Sequence, residues 1–174
     1  MQGLDQLPIK DWGKGASSVV KPVLLSRGTI ESIDLAKTRL LCEEVLGFEC
    51  APAGPDRLML RHHSDQPGDT YWVIEVVAVP EVRTPQNLTN HWGVWVPDRQ
   101  AVDNAYALLK TNKDKYGLLR VQNPRLTHEG GRDYSFYFVD IGGVWWEIVE
   151  HPDENEFVRL FREGDWDMQE DSGK

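Results

Sequence analysis

Three otherwise apolar stretches each carry one side chain able to take a metal ion or a proton: Glu75 in YWVIEVVAV, His91 in NHWGVWV and Glu147 in VWWEIV. Residues two apart on a strand share a face. On that rule Tyr71, Val73, Glu75 and Val77 lie together, as do His91, Gly93 and Trp95, and as do Trp145, Glu147, Val149 and His151. Trp92 and Trp146 take the opposite faces of their strands, where a helix-packed core belongs. Burying a carboxylate among such neighbours is costly unless a cation or a hydrogen-bond donor compensates it. A bound metal is one answer to that cost. A glutamate on a wet strand face, or a structural histidine with a hydrogen bond, meets the same spacing without any chemistry, and alternation leaves both readings open. At Glu147 the wet-face reading is weaker, because WWEIV is apolar on both sides. His62 and His63 lead into a turn and read as surface residues.

The elements that must position these groups follow from periodicity and turn chemistry. Residues 1–21 are polar and aperiodic, an N-terminal extension. Residues 22–80 read as a first module. It has a strand over 23–33, a helix from 35 to about 46 with Asp34 as cap and Gly47 as stop, and strands at 48–50, 57–61 and 71–79. Residues 88–151 repeat the order. A strand at 92–96 is followed by a helix over 97–117 that opens on Pro97, then by strands at 118–121, 134–139 and 144–149, the last two joined by a turn at 141–143. Residues 152–174 could make a short amphipathic helix and an acidic tail. The fold class is α+β, built from two βαβββ modules.

The whole chain, 174 residues of which 40% are hydrophobic and 27% charged, has the composition of a globular protein. One domain, or two small modules sharing a core, fits that length. The net charge of −9 argues against a nucleic-acid partner. No apolar run approaches the ~18–20 residues that span a bilayer, so no membrane partner is expected. The N-terminal stretch lacks the apolar segment of a secretory signal, and Cys42 and Cys50 read as free intracellular thiols, so the expected compartment is the cytoplasm. Seven tryptophans are many for this length; they suit a core or the walls of a pocket for a flat ligand.

SIDLAKTRLLCEEVLGFE (32–49), NHWGVWV (90–96) and YFVDIGGVWWEI (137–148) resemble, in order and separation, the first helix, the second-module histidine strand and the closing hairpin of the vicinal oxygen chelate superfamily. That group includes glyoxalases, bleomycin-resistance proteins and type I extradiol dioxygenases. Within it, His128, Tyr137, Asp140, Gly143 and Glu147 stand at separations that resemble the extradiol dioxygenases, with Ile141 in place of the usual turn proline. The resemblance implies two modules forming a cupped mixed sheet. It implies Glu147 and His91 as metal ligands, and His128 and Tyr137 as catalytic groups. The implied reaction is opening of a catechol-type ring by O2 at mononuclear Fe(II), with Mn, Zn or Ni as other candidate divalent metals. Trp95 and Trp145 would wall a small aromatic or oxygenated substrate, and a homodimer is implied.

The first ligand position of the pattern is held here by Arg27, whose guanidinium stays protonated and cannot ligate a metal. Glu75 could complete the set, since YWVIEV resembles the glyoxalase strand that carries a glutamate ligand. His63 or His128 could swing in. Or no metal binds, and Arg27 neutralises Glu147 or Glu75, or grips a substrate carboxylate bidentately. The expected function is accordingly extradiol-dioxygenase-like. The alternatives are a glyoxalase- or epimerase-like metal-dependent lyase or isomerase, and a metal-free binding protein of the bleomycin-resistance type.

Overall fold

Two aspartates start the two helices in the same way. Asp34 precedes α1 (Leu35–Glu44) and its carboxylate accepts the Lys37 N–H at 3.0 Å. Asp98 precedes α2 (Arg99–Thr111) and accepts the Ala101 N–H at 2.8 Å. Each carboxylate satisfies a backbone donor that the first helical turn leaves unpaired. In the computed structural model, residues 27–62, 73–83, 85–126 and 134–150 are described. The expected extension (1–21) and tail (152–174), with His63 and His128, lie outside the described residues.

The second helix is shorter at both ends than the 97–117 expected. Asp98, not Pro97, supplies the acceptor that opens it. At its far end the Asn112 side chain donates to the Leu108 carbonyl at 2.9 Å, competing with the helix ladder, and the chain turns away through Gly117 at φ 65°. Gly47, also at positive φ, ends α1, and the Phe48 N–H closes on the Cys42 carbonyl at 2.9 Å.

The first sheet comprises β1 (Arg27–Ser32), β2 (Glu49–Pro52), β3 (Arg57–Arg61) and β4 (Val73–Ala78), in the order β1-β4-β3-β2, with β1 parallel to β4. The second comprises β5 (Trp92–Val96), β6 (Arg120–Val121), β7 (Arg125–Leu126), β8 (Tyr134–Val139) and β9 (Trp145–Glu150). Its order is β5-β9-β8-β6, with β5 parallel to β9 and β7 also paired to β8. Both modules thus repeat one spatial order, and the class is α+β with two mixed sheets. Where a single strand was expected at 118–121, β6 and β7 form two short pieces along one edge of β8. Pro124 lies between them and has no N–H for the ladder, so the edge is interrupted.

A single apolar cluster joins the modules: Ile30, Leu41, Leu60, Ile74 and Val76 from the first, Val102, Leu109, Phe136, Phe138, Trp146 and Ile148 from the second. The rings of Phe48 and Trp146 meet across it at 6.0 Å. Close approach elsewhere depends on glycine. A β-carbon on Gly28 would come within 3.2 Å of the Trp92 ring, and one on Gly142 would collide with the Glu31 carbonyl oxygen. Trp92 and Trp146 pack on the core side, as alternation requires. No helix among the described residues is long and apolar enough to cross a membrane.

Candidate active site

On the face of the second sheet turned away from this core, strand register assembles a polar group. Tyr137 is the cross-strand partner of Glu147, Gly93 flanks Glu147 from β5, and Ser135 stands two residues before Tyr137 on the same face. The missing side chain at Gly93 leaves room; its β-carbon position lies 4.0 Å from Glu147 Oε2. Into that space comes His91, just ahead of β5, with Nε2 3.2 Å from Glu147 Oε2.

The His91 ring is held at its other nitrogen. Nδ1 lies 2.7 Å from the Leu88 carbonyl oxygen, which can only accept, so Nδ1 carries the hydrogen and Nε2 is the nitrogen presented to the carboxylate. The other carboxylate oxygen, Oε1, accepts the Ser135 hydroxyl at 2.7 Å. The Tyr137 ring meets the His91 ring edge-on at 5.1 Å between centroids, and its residue is the cross-strand partner of Glu147. Burial, and then the neighbouring Glu147 carboxylate, push the Tyr137 phenol well above its ordinary range, so it stays protonated across physiological pH. Sequence reasoning missed Ser135. Its signal was its place on the Tyr137 face, read by the same alternation.

Glu75 is elsewhere. Its carboxylate is buried, and Oε1 takes the Arg57 guanidinium at 3.0 Å. Among the described residues no three of His, Cys, Asp and Glu converge where a metal ion could sit, so the set Glu75, His91 and Glu147 is not brought together. Arg57 is the physical reason: it meets the desolvation cost of Glu75 that otherwise called for a cation. Donors likewise meet the cost at Glu147, and no buried side-chain nitrogen or oxygen among the described residues lacks a hydrogen-bond partner. Arg27 opens β1 opposite Val73. Trp95, opposite Val149, is half exposed, and Trp145 on the Glu147 face lies under the Arg120 guanidinium at 5.5 Å.

A divalent cation fits this chemistry in part. An imidazole whose Nδ1–H is fixed by a carbonyl is oriented as a metal-ligating histidine is, with Nε2 able to exchange its proton for a cation, and a facing carboxylate supplies the second donor. Two protein donors leave the other positions to water or substrate. The two-histidine, one-carboxylate arrangement of non-haem Fe(II) is not assembled among the described residues.

The fold is that of glyoxalase, bleomycin-resistance and fosfomycin-resistance proteins, the vicinal oxygen chelate architecture. The chain is similar to the fosfomycin resistance protein FosX from Listeria monocytogenes, solved with Mn(II) and a sulfate ion. The TM-score is 0.57 at 17% identity, over 81% of this chain and 99% of that one. It is similar to a possible glyoxalase from Bacillus cereus with a TM-score of 0.50 at 20% identity, covering 70% of this chain and 94% of that one. A lactoylglutathione lyase from Agrobacterium tumefaciens aligns with a TM-score of 0.50 at 16% identity, over 74% and 94%. No protein-family model and no curated protein sequence matches the chain.

Proposed function

We propose that this chain is a small-molecule enzyme of glyoxalase- or epimerase-like type, moving a proton on an oxygenated substrate over the Glu147 face. The observation that carries the reading is the His91–Glu147 pair, 3.2 Å apart, with Nδ1 anchored so that Nε2 faces the carboxylate. In this reading His91 and Glu147 hold a divalent cation of the Mn(II) class, which when bound polarises substrate oxygens. Tyr137 donates a hydrogen bond to a substrate oxygen. His128 is the acid–base group, and Trp95 and Trp145 flank the ligand. The working form is a homodimer.

The experiment is Mn2+ titration by electron paramagnetic resonance, paired with exchange of substrate C–H for deuterium across a panel of α-hydroxy carbonyl compounds. Saturable Mn2+ binding and metal-dependent exchange, both lost in Glu147→Gln and His91→Gln, support the reading. No saturable binding and no exchange in the wild-type chain would overturn it and leave a metal-free binding protein. A second reading is favoured by one observation, the pairing of Tyr137 across from Glu147 with its ring against His91, where an extradiol dioxygenase would need its tyrosine. Oxygen uptake with small catechols after Fe(II) loading would establish that reaction in place of the first.

A further inference from the structure

Four arginines, on the two helices and on β3, are already engaged by carboxylates. Arg39 meets Glu43, Arg57 meets Glu75, Arg61 meets Glu49 and Arg99 meets Glu150. Arg120 on β6 and Arg125 on β7 differ. Among the described residues neither guanidinium pairs with a carboxylate, although the chain carries a net charge of −9. Both strands run along β8, where Arg120 is opposite Val139 and Arg125 is opposite Ser135, so the two arginines bracket Tyr137. Partners directly opposite share a face. Arg125 is therefore on the side of Ser135 and Glu147, and its charge acts on the Tyr137 phenol, drawing its pKa downward against the larger effects of burial and Glu147.

Between the two arginines the chain forms an open groove of about 410 Å³, lined by Arg120, Val121, Gln122, Asn123, Pro124 and Arg125. Among the described residues no carboxylate lines it. Arg120 Cζ lies 5.5 Å from the centroid of the Trp145 ring, a cation–π contact that anchors the guanidinium without engaging its N–H donors in an ion pair. Asn123 is pinned from α2: its Oδ1 accepts the Tyr106 hydroxyl at 2.6 Å, and that oxygen in turn accepts Lys110 Nζ at 2.8 Å. With Oδ1 so engaged, the Asn123 amide presents Nδ2–H donors on its other side. The backbone is pinned as well, since the Gln122 N–H donates to the Tyr137 carbonyl at 2.8 Å.

We propose that the 120–125 groove is an oxyanion site, in which Arg120, Arg125 and the Asn123 amide hold the carboxylate or phosphate-type end of the molecule handled at His91 and Glu147. The link to that molecule rests on the function proposed above; the oxyanion site itself stands on its own donors. Two planar guanidinium forks match the oxygens of such a group in pairs, which a lysine cannot do. A substrate bound this way carries its anionic end at the β6–β7 edge and its reacting oxygens toward Tyr137.

The test is a titration of the full-length, 15N-labelled chain with inorganic phosphate and, separately, acetate, followed by two-dimensional amide NMR. Saturable shifts at Gln122, Asn123 and Arg125 with either anion are expected, and the anion that binds more tightly identifies the group. Arg120→Gln and Arg125→Gln, both exposed positions, should each weaken binding about tenfold, and Arg120→Lys should recover only part of the loss. Mn2+ binding, measured in the same variants, should not change. Non-saturating shifts, or equal affinity in the double Arg120→Gln/Arg125→Gln variant, would overturn the site. If phosphate binds in an arginine-dependent way while Mn2+ binding and deuterium exchange are absent from the wild type, the oxyanion site stands and the proton-transfer reading falls.

Discussion

Tyr137 and Glu147 are direct cross-strand partners on β8 and β9. Their phenol and carboxylate therefore share a face by sheet register, not by the conformation of a loop. A one-residue slip of either strand would send its member of the pair to the core side, where Phe136, Phe138, Trp146 and Ile148 pack, so the hydrophobic pattern that sets the register also sets the site.

Because the phenol stays protonated, its use is as a hydrogen-bond donor. Tyr137→Phe removes that donor and leaves the ring against His91. Turnover is expected to fall about 10- to 100-fold, equivalent to about 1.4–2.7 kcal/mol of lost transition-state stabilisation, with Mn2+ affinity within about twofold of wild type. Steady-state kinetics and metal titration on the same preparation check this. Equal turnover in the variant would make Tyr137 a packed residue only.

Glu147 and His91 are the two donors that face each other, and each has its own support. Ser135 fixes one carboxylate oxygen and Leu88 fixes the imidazole. Glu147→Ala is expected to abolish tight Mn2+ binding. Ser135→Ala, which leaves both donors but frees Oε1, should weaken it by about tenfold, the lower end for loss of a group that orients a ligand. Metal stoichiometry after dialysis separates the two. An unchanged stoichiometry in Glu147→Ala would remove the metal from the reading.

Arg57 and Glu75 form a separate ion pair, half exposed on the arginine side and buried on the glutamate side. Arg57→Ala takes a charged donor from a buried carboxylate and is expected to destabilise the fold by about 1–3 kcal/mol. The double variant Arg57→Ala/Glu75→Gln should recover part of that loss, since the carboxylate that needed the arginine is gone. Chemical denaturation reads both. Mn2+ binding should be the same in all three proteins, because Glu75 is not among the residues that face His91. Loss of metal in the double variant but not in Arg57→Ala would restore Glu75 as a ligand.

The two-module plan was legible because it is written in long-lived signals: a helix cap at Asp34, a stop at Gly47, and strands such as Tyr134–Val139 and Trp92–Val96; the Asp98 cap of the second helix was not read, because Pro97 beside it carries the stronger start signal. Pairwise facing of His91 and Glu147 was also within reach, since both lie on known faces of adjacent strands. What alternation could not supply was the identity of partners across strands. Glu75 has the same local pattern as a ligand and as half of an ion pair, and only the register that brings Arg57 near it decides between them. The short strand Arg125–Leu126 has too few residues to show a period, and it is made by its pairing with β8 alone. The arginines at 120 and 125 read as ordinary surface charges until β8 is seen to set them on either side of Tyr137.

Asp140 shows how the closing hairpin ties stability to pH. Its carboxylate is buried at the β8–β9 turn and accepts the Trp146 indole N–H at 2.9 Å and the N–H groups of Gly142 and Val144 at 2.8 and 3.0 Å. Burial pushes the carboxyl up to about 6 from the ordinary 3.8, against the downward pull of those three donors. A raised carboxyl means that, between about 3.8 and about 6, the folded chain keeps a proton that the unfolded chain has released. The stabilisation from that proton is complete below 3.8 and is lost as pH rises through about 6. The shift corresponds to about 3 kcal/mol at 1.36 kcal/mol per pKa unit. Thermal melts of the wild type should therefore show this group's contribution falling between pH 4 and pH 7, while Asp140→Asn, which cannot titrate, should lack that component. Parallel pH profiles for the two proteins would mean that the three donors, not burial, govern Asp140, and that the carboxylate is charged throughout.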